Sequence, residues 1–346
     1  MRVAVDAMGS DNGSSVVVRG VQRALGSVYS ISKLYLVGDQ KELEKELKAC
    51  GCNDSRIEIY HASQVLSMTD KPVDGLRRKK DCSIARATEL VKKGDAQVLV
   101  SAGNTGGVVA SAHIRLRPLK GVERPAIAAV IPARDNSFVL LDAGGFIDSR
   151  PSHLMQYGIM GSVYSREVLG YAKPRVGVLN IGTEDVKGNE LTHGAFNLLS
   201  KVHEAGIINF IGNVEGHDLF ENRVDVVVCD GFMGNVVLKT CESFGGHLLK
   251  WIQHEISRSP TRVIGAMLAQ GAFKSIKNRL DPESTGGAPI LGLNGVVMKS
   301  HGSAKEKAIY NAIRLGVNAA NQNINQIIID EIAAAASLVS EKEITA

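Results

Sequence analysis

Ser101-Ala102-Gly103-Asn104-Thr105-Gly106-Gly107 follows directly on the apolar run Val98 to Val100. Three glycines, an amide and two hydroxyls at that spacing suit the chemistry of holding an anion. Gly103, Gly106 and Gly107 let the backbone approach a ligand, and the free N–H groups of a following helix point at it. Ser101, Asn104 and Thr105 can add side-chain hydrogen bonds. The plain alternative is a strand-to-helix turn in which Asn104 or Thr105 caps the helix. The same pattern recurs downstream in Gly182-Thr183-Glu184-Asp185-Val186-Lys187-Gly188-Asn189, in Gly212-Asn213-Val214-Glu215-Gly216 and in Asp230-Gly231-Phe232-Met233-Gly234-Asn235. In open α/β sheets ligands bind at the carboxyl ends of strands, so four such turns predict a polar cleft that accepts anions.

Other residues with chemical potential are weaker signals. Arg77-Arg78-Lys79-Lys80 is a run of cations between a Pro-broken loop and the helix and strand that lead to Ser101. A run of this kind is ordinarily a solvated face; here it can also steer anions. His301 sits beside Gly302 and a helix start, where a structural role and a site role both fit. The five cysteines, Cys50, Cys52, Cys82, Cys229 and Cys241, show neither zinc-ligand nor redox spacing, which points to a reduced, cytoplasmic setting.

The elements that must position these turns alternate in type. Val3 to Asp6, Lys33 to Val37 and Arg56 to Tyr60 read as strands, with helices over Val16 to Leu25 and Gln40 to Ala49 between them. Such alternation predicts βαβ units and a Rossmann-like layered α/β fold with a mainly parallel sheet. The first strand leads into Met8-Gly9-Ser10-Asp11 and not into G-x-G-x-x-G, which counts against a dinucleotide site. Pro125 to Ile131 and Ser137 to Asp142 read as a hairpin, and Pro151 opens a helix through Val168. Arg175 to Ile181, Ile207 to Ile211 and Val224 to Cys229 read as the strands before the three downstream turns. Ser303 and Glu306 have capping-box spacing, and Ile309, Ile313, Val317, Ala320, Ile324 and Ile328 mark one face of a long C-terminal helix.

Residues 243–280 differ from the rest. They read as two helical segments broken near Ser259-Pro260, apolar through Leu248, Trp251, Ile252, Met267, Leu268 and Phe273 and basic through Lys250, Arg262, Lys274 and Lys277. Packing on the core or on a dimer partner explains this, and so does contact with a membrane surface. With no linker and no repeat, the 346 residues read as a single integrated α/β catalytic unit carrying this helical excursion.

Composition bounds the rest. Hydrophobic residues at 44% and charged residues at 22% describe an ordinary globular chain. A net charge of +4 is too mild to imply nucleic acid, and 5% aromatics argue against base-stacking platforms. The opening Met1-Arg2-Val3-Ala4-Val5-Asp6 reads as a strand and not a signal peptide, and no apolar run approaches the length of a membrane span.

Taken together, Val5-Asp6-Ala7-Met8-Gly9-Ser10-Asp11, Arg77 to Asp81, Ser101 to Gly106, Leu141-Asp142, Met160 to Tyr164, Asn180 to Glu184, Lys187-Gly188-Asn189, Phe210 to Gly216, Asp230 to Val236 and Gly287-Ala288-Pro289 through His301-Gly302-Ser303 resemble, in colinear order, the bacterial phosphate acyltransferase family, PlsX. The resemblance covers almost the whole chain. It implies a fold similar to those of phosphate acetyltransferases and isopropylmalate dehydrogenases. It implies transfer of a fatty acyl group from acyl-[acyl-carrier protein] to inorganic phosphate, giving acyl phosphate for phospholipid synthesis. It also implies a cytoplasmic homodimer attached peripherally to the membrane, near a downstream glycerol-3-phosphate acyltransferase. Two departures stand out: Gly144-Gly145-Phe146 replaces the family's Gly-Ala-Asn, and Ser10 stands in the first loop where a second Gly is commoner.

The chemistry follows from these reactants. Phosphate is already an anionic nucleophile, and a thiolate leaves without strong acid help because a thiol pKa is about 8.5. No metal, cofactor or covalent intermediate is required; positioning, and donors for the phosphate and the tetrahedral oxyanion, are. On this resemblance Asn104, Thr105 and Lys187 hold phosphate, with Ser101, Gly103, Gly106, Gly182, Thr183 and His301 lining the substrate. Asn189 contributes a further amide, Asn213 and Asn235 line the thioester end, and Asp230 orients its neighbours. Arg77, Arg78, Lys79 and Lys80 form a patch for the acidic carrier protein. A dehydrogenase of the isopropylmalate-like fold and a non-catalytic membrane-associated scaffold are the alternatives.

Overall fold

The computed structural model describes residues 1–279, 281, 283 and 286–338. Its strands are β1 (Arg2–Asp6), β2 (Lys33–Gly38), β3 (Ile57–His61), β4 (Val98–Ser101), β5 (Ala126–Ile127), β6 (Ala129–Pro132), β7 (Ser137–Leu141), β8 (Arg175–Leu179), β9 (Asn209–Val214), β10 (Val226–Val228), β11 (Ala288–Leu291) and β12 (Val296–Lys299). The helices between and after them are α1 (Ser14–Ser27), α2 (Gln40–Ala49), α3 (Pro72–Arg78), α4 (Ser83–Lys92), α5 (Thr105–Leu116), α6 (Pro151–Glu167) and α7 (Glu190–Glu204). They continue with α8 (Gly231–Ser257), α9 (Pro260–Leu268), α10 (Gln270–Arg279), α11 (Glu306–Asn321) and α12 (Ile324–Ala336).

The strands divide between two mainly parallel sheets. One runs β3-β2-β1-β4-β12-β11-β5 and the other β6-β7-β10-β8-β9. Among the named strands, antiparallel pairing is confined to β11 with its two neighbours and to the β6–β7 hairpin. Strand alternation builds the layers. Val3, Val5, Val98, Val100, Val139, Leu141, Val226 and Val228 belong to one hydrophobic layer. The intervening Ala4, Leu99, Phe138, Leu140 and Val227 belong to the other. Both faces of both sheets are therefore covered, as parallel sheets require, and each layer continues from one sheet into the next.

Several elements depart from the sequence reading, each for a local reason. β9 does not stop at Ile211 but runs through Val214, with Gly212 at φ 96° absorbing a register shift opposite Val176 and Val178. Gly212-Asn213 is thus a β-bulge inside a strand and not a terminal turn. The stretch before the cation run is helical, because Pro72 at the first position of α3 is preset for a helix start. The Ser303–Glu306 capping box does not form: Lys305 holds the cap position of α11, and Ser303 bonds instead to His301. The long C-terminal helix is two helices, broken where Asn323 takes the left-handed conformation at φ 53°. Asn tolerates that region because its short side chain bonds locally.

The excursion begins earlier than its sequence limits. α8 starts at Gly231 and runs unbroken into it, buried only at Gly231 and Gly234, and α9 and α10 bury none of their residues. The break at Ser259-Pro260 falls where expected, and a second falls at Ala269; Leu280, the last residue of the predicted stretch, lies outside the described residues.

Candidate active site

Three of the four predicted turns do lie between a strand's carboxyl end and a helix, and each helix is capped in the same way. Asn104 accepts from the Gly107 N–H at 2.9 Å at the start of α5. Asn189 accepts from the Thr192 N–H at 3.0 Å before α7, and Thr192 returns the bond to the Asn189 N–H. Asp230 accepts from the Met233 N–H at 2.9 Å before α8. Each cap satisfies one otherwise unpaired helix amide, so the accepting side-chain oxygens are committed to shaping the turns. Asn104 is committed further still: its Nδ2 donates to the carbonyls of Ser67, Met68 and Asp70 at 3.3, 3.0 and 3.3 Å.

What the caps leave free is a different set. Thr105, Lys187 and Asn235 are all exposed, and their side chains take no hydrogen bond or ion pair among the described residues. Lys187 caps its own turn only through backbone: its carbonyl accepts from Asn180 and pairs with His193, and its N–H donates to Glu184. Thr183 is exposed on that turn, while Gly182 is buried beneath the Lys187 and Glu184 side chains, where a Cβ would come within 2.8 Å of each. Asn213 is buried and donates its Nδ2 to the Glu184 carbonyl at 3.3 Å, leaving its buried Oδ1 without a protein partner among the described residues. Its amide donates across to the Gly182–Asn189 turn, because Asn213 is a strand residue and not a loop residue.

Around Ser101 the structure assembles four segments. Gly9 packs against Gly103, with room for no more than a close backbone contact. Gly106 lies under Pro72 and Gly107 under Leu66, so side chains at either position would displace the loop. The Asp11 N–H donates to the Gly302 carbonyl at 2.9 Å, which joins the first loop to the end of β12. His301 is turned to its own segment: its Nδ1 meets the Ser303 hydroxyl at 2.7 Å and accepts from the Ser303 N–H at 3.2 Å.

The cation run is divided. Lys79 pairs with Asp70 at 2.5 Å and donates to the Val65 carbonyl at 2.9 Å, and its ammonium holds the Asp70 carboxyl down to about 2. It braces the loop that carries the partners of Asn104. Arg77, Arg78 and Lys80 take no ion pair among the described residues.

Three buried charges had no role in the sequence reading. Asp6 is 3% exposed and accepts from the Ser101 hydroxyl at 2.7 Å, and burial pushes its pKa up to about 6. Lys299, at the end of β12, is 6% exposed, and burial brings its pKa down to about 8. Asp142 accepts from the N–H groups of Ile127 and Gly145 at 2.9 Å and of Phe146 at 2.8 Å, so it ties the two sheets and forms the Gly144-Gly145-Phe146 loop; burial raises its pKa. The Phe146 carbonyl in turn accepts from the Gly231 N–H, and Asn235 lies against Gly144, so this loop sits on the first turns of α8. Asp6 and Asp142 stand at predicted strand ends and Lys299 at the end of β12, and a charged residue closing an otherwise apolar run was the available signal. Cys229 and Cys82 offer no thiolate: burial raises both thiols, Cys229 well above its ordinary value.

The arrangement leaves exposed donors beside turns whose caps bond to helix amides, a setting in which an anion can be held. Solved structures share the fold. A EutD phosphotransacetylase from Staphylococcus aureus superposes with a TM-score of 0.62 at 15% identity, over 92% of this chain and 94% of its own. A phosphotransacetylase from Streptococcus pyogenes does so with the same score and identity, over 93% and 94%. Among curated relatives, the phosphate acyltransferase of Pelotomaculum thermopropionicum is 45% identical over 332 residues, 96% of this chain and 94% of the relative. That of Akkermansia muciniphila is 42% identical over 335 residues, 96% of each. The family described as "Fatty acid synthesis protein" matches residues 1–327. With its fold, its turns and its relatives in agreement along nearly the whole length, this chain belongs to the phosphate acyltransferase family, PlsX, and is an acyltransferase enzyme.

Proposed function

We propose that the enzyme transfers a fatty acyl group from acyl-[acyl-carrier protein] to inorganic phosphate, releasing acyl phosphate and the free carrier thiol for phospholipid synthesis. The observation that carries this reading is the division of labour at three helix starts of one design. Side-chain oxygens of Asn104, Asn189 and Asp230 accept helix amides as caps, whereas the side chains of Thr105, Lys187 and Asn235 remain unpaired among the described residues. The nucleophile needs no protein base: a phosphate oxygen attacks the thioester carbonyl carbon, the carbonyl becomes a tetrahedral oxyanion, and collapse breaks the C–S bond. Thr105 and the amino end of α5, with Lys187, hold the phosphate; Asn235 faces the thioester end. Arg77, Arg78 and Lys80 meet the acidic carrier protein. The test is to incubate the purified protein with acyl-carrier thioesters of several chain lengths and inorganic phosphate and to trap acyl phosphate with hydroxylamine. Phosphate-dependent hydroxamate supports the reading. A folded protein that gives none with any thioester sinks it.

The reading extends to where the product goes. An acyl phosphate released through water exposes its chain at about 0.8 kcal/mol per CH₂. The arm formed by α8, α9 and α10 presents Trp251, Met267 and Leu268, the last 86% exposed, beside basic side chains. No described helix is long and apolar enough to cross a membrane. We therefore assign the arm to an anionic membrane surface, in a homodimer working beside the glycerol-3-phosphate acyltransferase that consumes the product. Leu268→Glu should abolish co-sedimentation with phosphatidylglycerol vesicles while leaving the oligomeric state intact. Loss of the dimer with vesicle binding retained would assign the arm to the partner subunit instead.

A further inference from the structure

Asp6, Ser101 and Lys299 stand opposite one another on three adjacent strands. Asp6 is the register partner of Ser101 across β1 and β4, and Ser101 is that of Lys299 across β4 and β12. Register partners on parallel strands point to the same face, so the three side chains make one row at the carboxyl ends of the sheet. All three are buried, at 3%, 1% and 6% exposure. The row lies on the face that α4 covers, and the side chain of Ser83, its first residue, bonds to Asp6.

The bonds within the row lead to one place. Ser101 donates its hydroxyl to Asp6 Oδ2 at 2.7 Å and accepts the Gly103 N–H at 3.1 Å. The Met8 N–H donates to Asp6 Oδ1 at 3.3 Å. Lys299 donates to the Ser300 carbonyl. The Ser101 hydroxyl therefore hands the buried carboxylate's pull to the first amide of the turn that leads into α5. An ionised Asp6 only accepts, which forces the Ser101 hydrogen toward it and leaves the oxygen's lone pairs for Gly103. A protonated Asp6 can donate, and the orientation is no longer dictated.

We propose that Asp6 and Lys299 are positioning residues for the phosphate-holding turn: Asp6 orients Ser101, Ser101 holds Gly103, and Lys299 places a positive charge at the far end of the same buried row. The proposal rests on the assignment of the Ser101–Gly106 turn as the phosphate seat. Burying two charges is costly, and apolar side chains would pack the row more cheaply, so a function fits it better than stability does. The charges that bear on it come from every neighbouring element. Ser83 on α4, Ser101 on β4 and Lys299 on β12 favour the Asp6 carboxylate against its burial. Asp6 and Asp11 favour the Lys299 ammonium, and Lys239 on α8 opposes it. Asp6 titrates at about 6, raised from its ordinary 3.8, so its ionised form is lost as pH falls through 6.

The experiment compares Lys299→Met, Lys299→Arg, Asp6→Asn and Thr105→Val with the unaltered enzyme. It records thermal stability, KM for inorganic phosphate, KM for the acyl-carrier thioester, and kcat over pH 5 to 9. Lys299→Met should raise KM for phosphate about tenfold, leave KM for the thioester unchanged, and move the acid limb of kcat/KM for phosphate upward by about one pH unit, because removing a cation raises the pKa of Asp6. Lys299→Arg should keep the original acid limb. Asp6→Asn, which keeps shape and removes the charge, should raise KM for phosphate similarly and abolish that limb, and it decides the matter should Lys299→Met fail to fold. Lower stability with unmoved KM and acid limb in the folded variants would overturn the proposal alone, provided Thr105→Val raises KM for phosphate. If Thr105→Val also leaves it unchanged, the turn is not the phosphate seat and both assignments fall.

Discussion

The turns after β4 and β8 are built alike and held differently. Each follows a buried strand, each is glycine-rich, and each ends in an asparagine that accepts from the third amide of the next helix. Yet the Ser101 turn is fixed from outside, by Asn104 bonds to three carbonyls of the 67–70 loop, by Gly9 against Gly103, and by the buried Asp6. The Gly182–Asn189 turn bonds largely to itself, through Asn180, His193 and Thr192, with Asn213 as its link to β9. The same local grammar thus yields an externally fixed turn in one place and an exposed cation-bearing loop in the other. External bonds are what separate them; under the proposed function, preorganisation falls to the first and charge delivery to the second.

The sharpest way to break this comparison is to remove the charge. Lys187→Ala should lower turnover by a factor of about a hundred, as loss of a transition-state donor does, with little change in melting temperature because the side chain is exposed and unpaired. Near-normal turnover at both low and saturating phosphate would return Lys187 to an ordinary surface lysine. Next in size is the contrast between the two caps. Asn104→Ala removes a cap bond and strips three carbonyls of their donor, for a cost of about 2 kcal/mol, whereas Asn189→Ala should cost about 1 kcal/mol. Denaturant unfolding of both variants measures this, and equal losses would mean that the external bonds of the first turn contribute nothing. The smallest effect concerns the cations before α4. Alanine at Arg77, Arg78 and Lys80 together should raise KM for the carrier thioester a few-fold at low salt, with the difference vanishing as salt screens it. Lys79→Ala should behave unlike its neighbours and lower stability without that salt dependence, since its partner is Asp70. A salt-dependent KM for Lys79→Ala alone would reverse the division.

The local parts of this protein were legible in its sequence. Alternating strands and helices, the β6–β7 hairpin, Pro151 at the start of α6 and the break at Ser259-Pro260 all follow from side-chain periodicity and turn chemistry, which act over a few residues. So did the three asparagine- or aspartate-capped turns, because a cap and its amide are three positions apart. Mistakes arose where a local pattern had two outcomes. Gly212 can end a strand or bulge it, Asn323 can continue a helix face or break it, and Ser303 with Glu306 can cap a helix or serve another bond. The pairing with β8 decided the first, and backbone or side-chain bonds that compete over a few residues decided the others. Partners distant in sequence decided the division into two sheets, which donors stay free once the caps are formed, and the row of Asp6, Ser101 and Lys299. No spacing links those three residues. Only the register of β1, β4 and β12 brings them side by side, and register is decided by the burial of both sheet faces at once, which is a property of the folded whole.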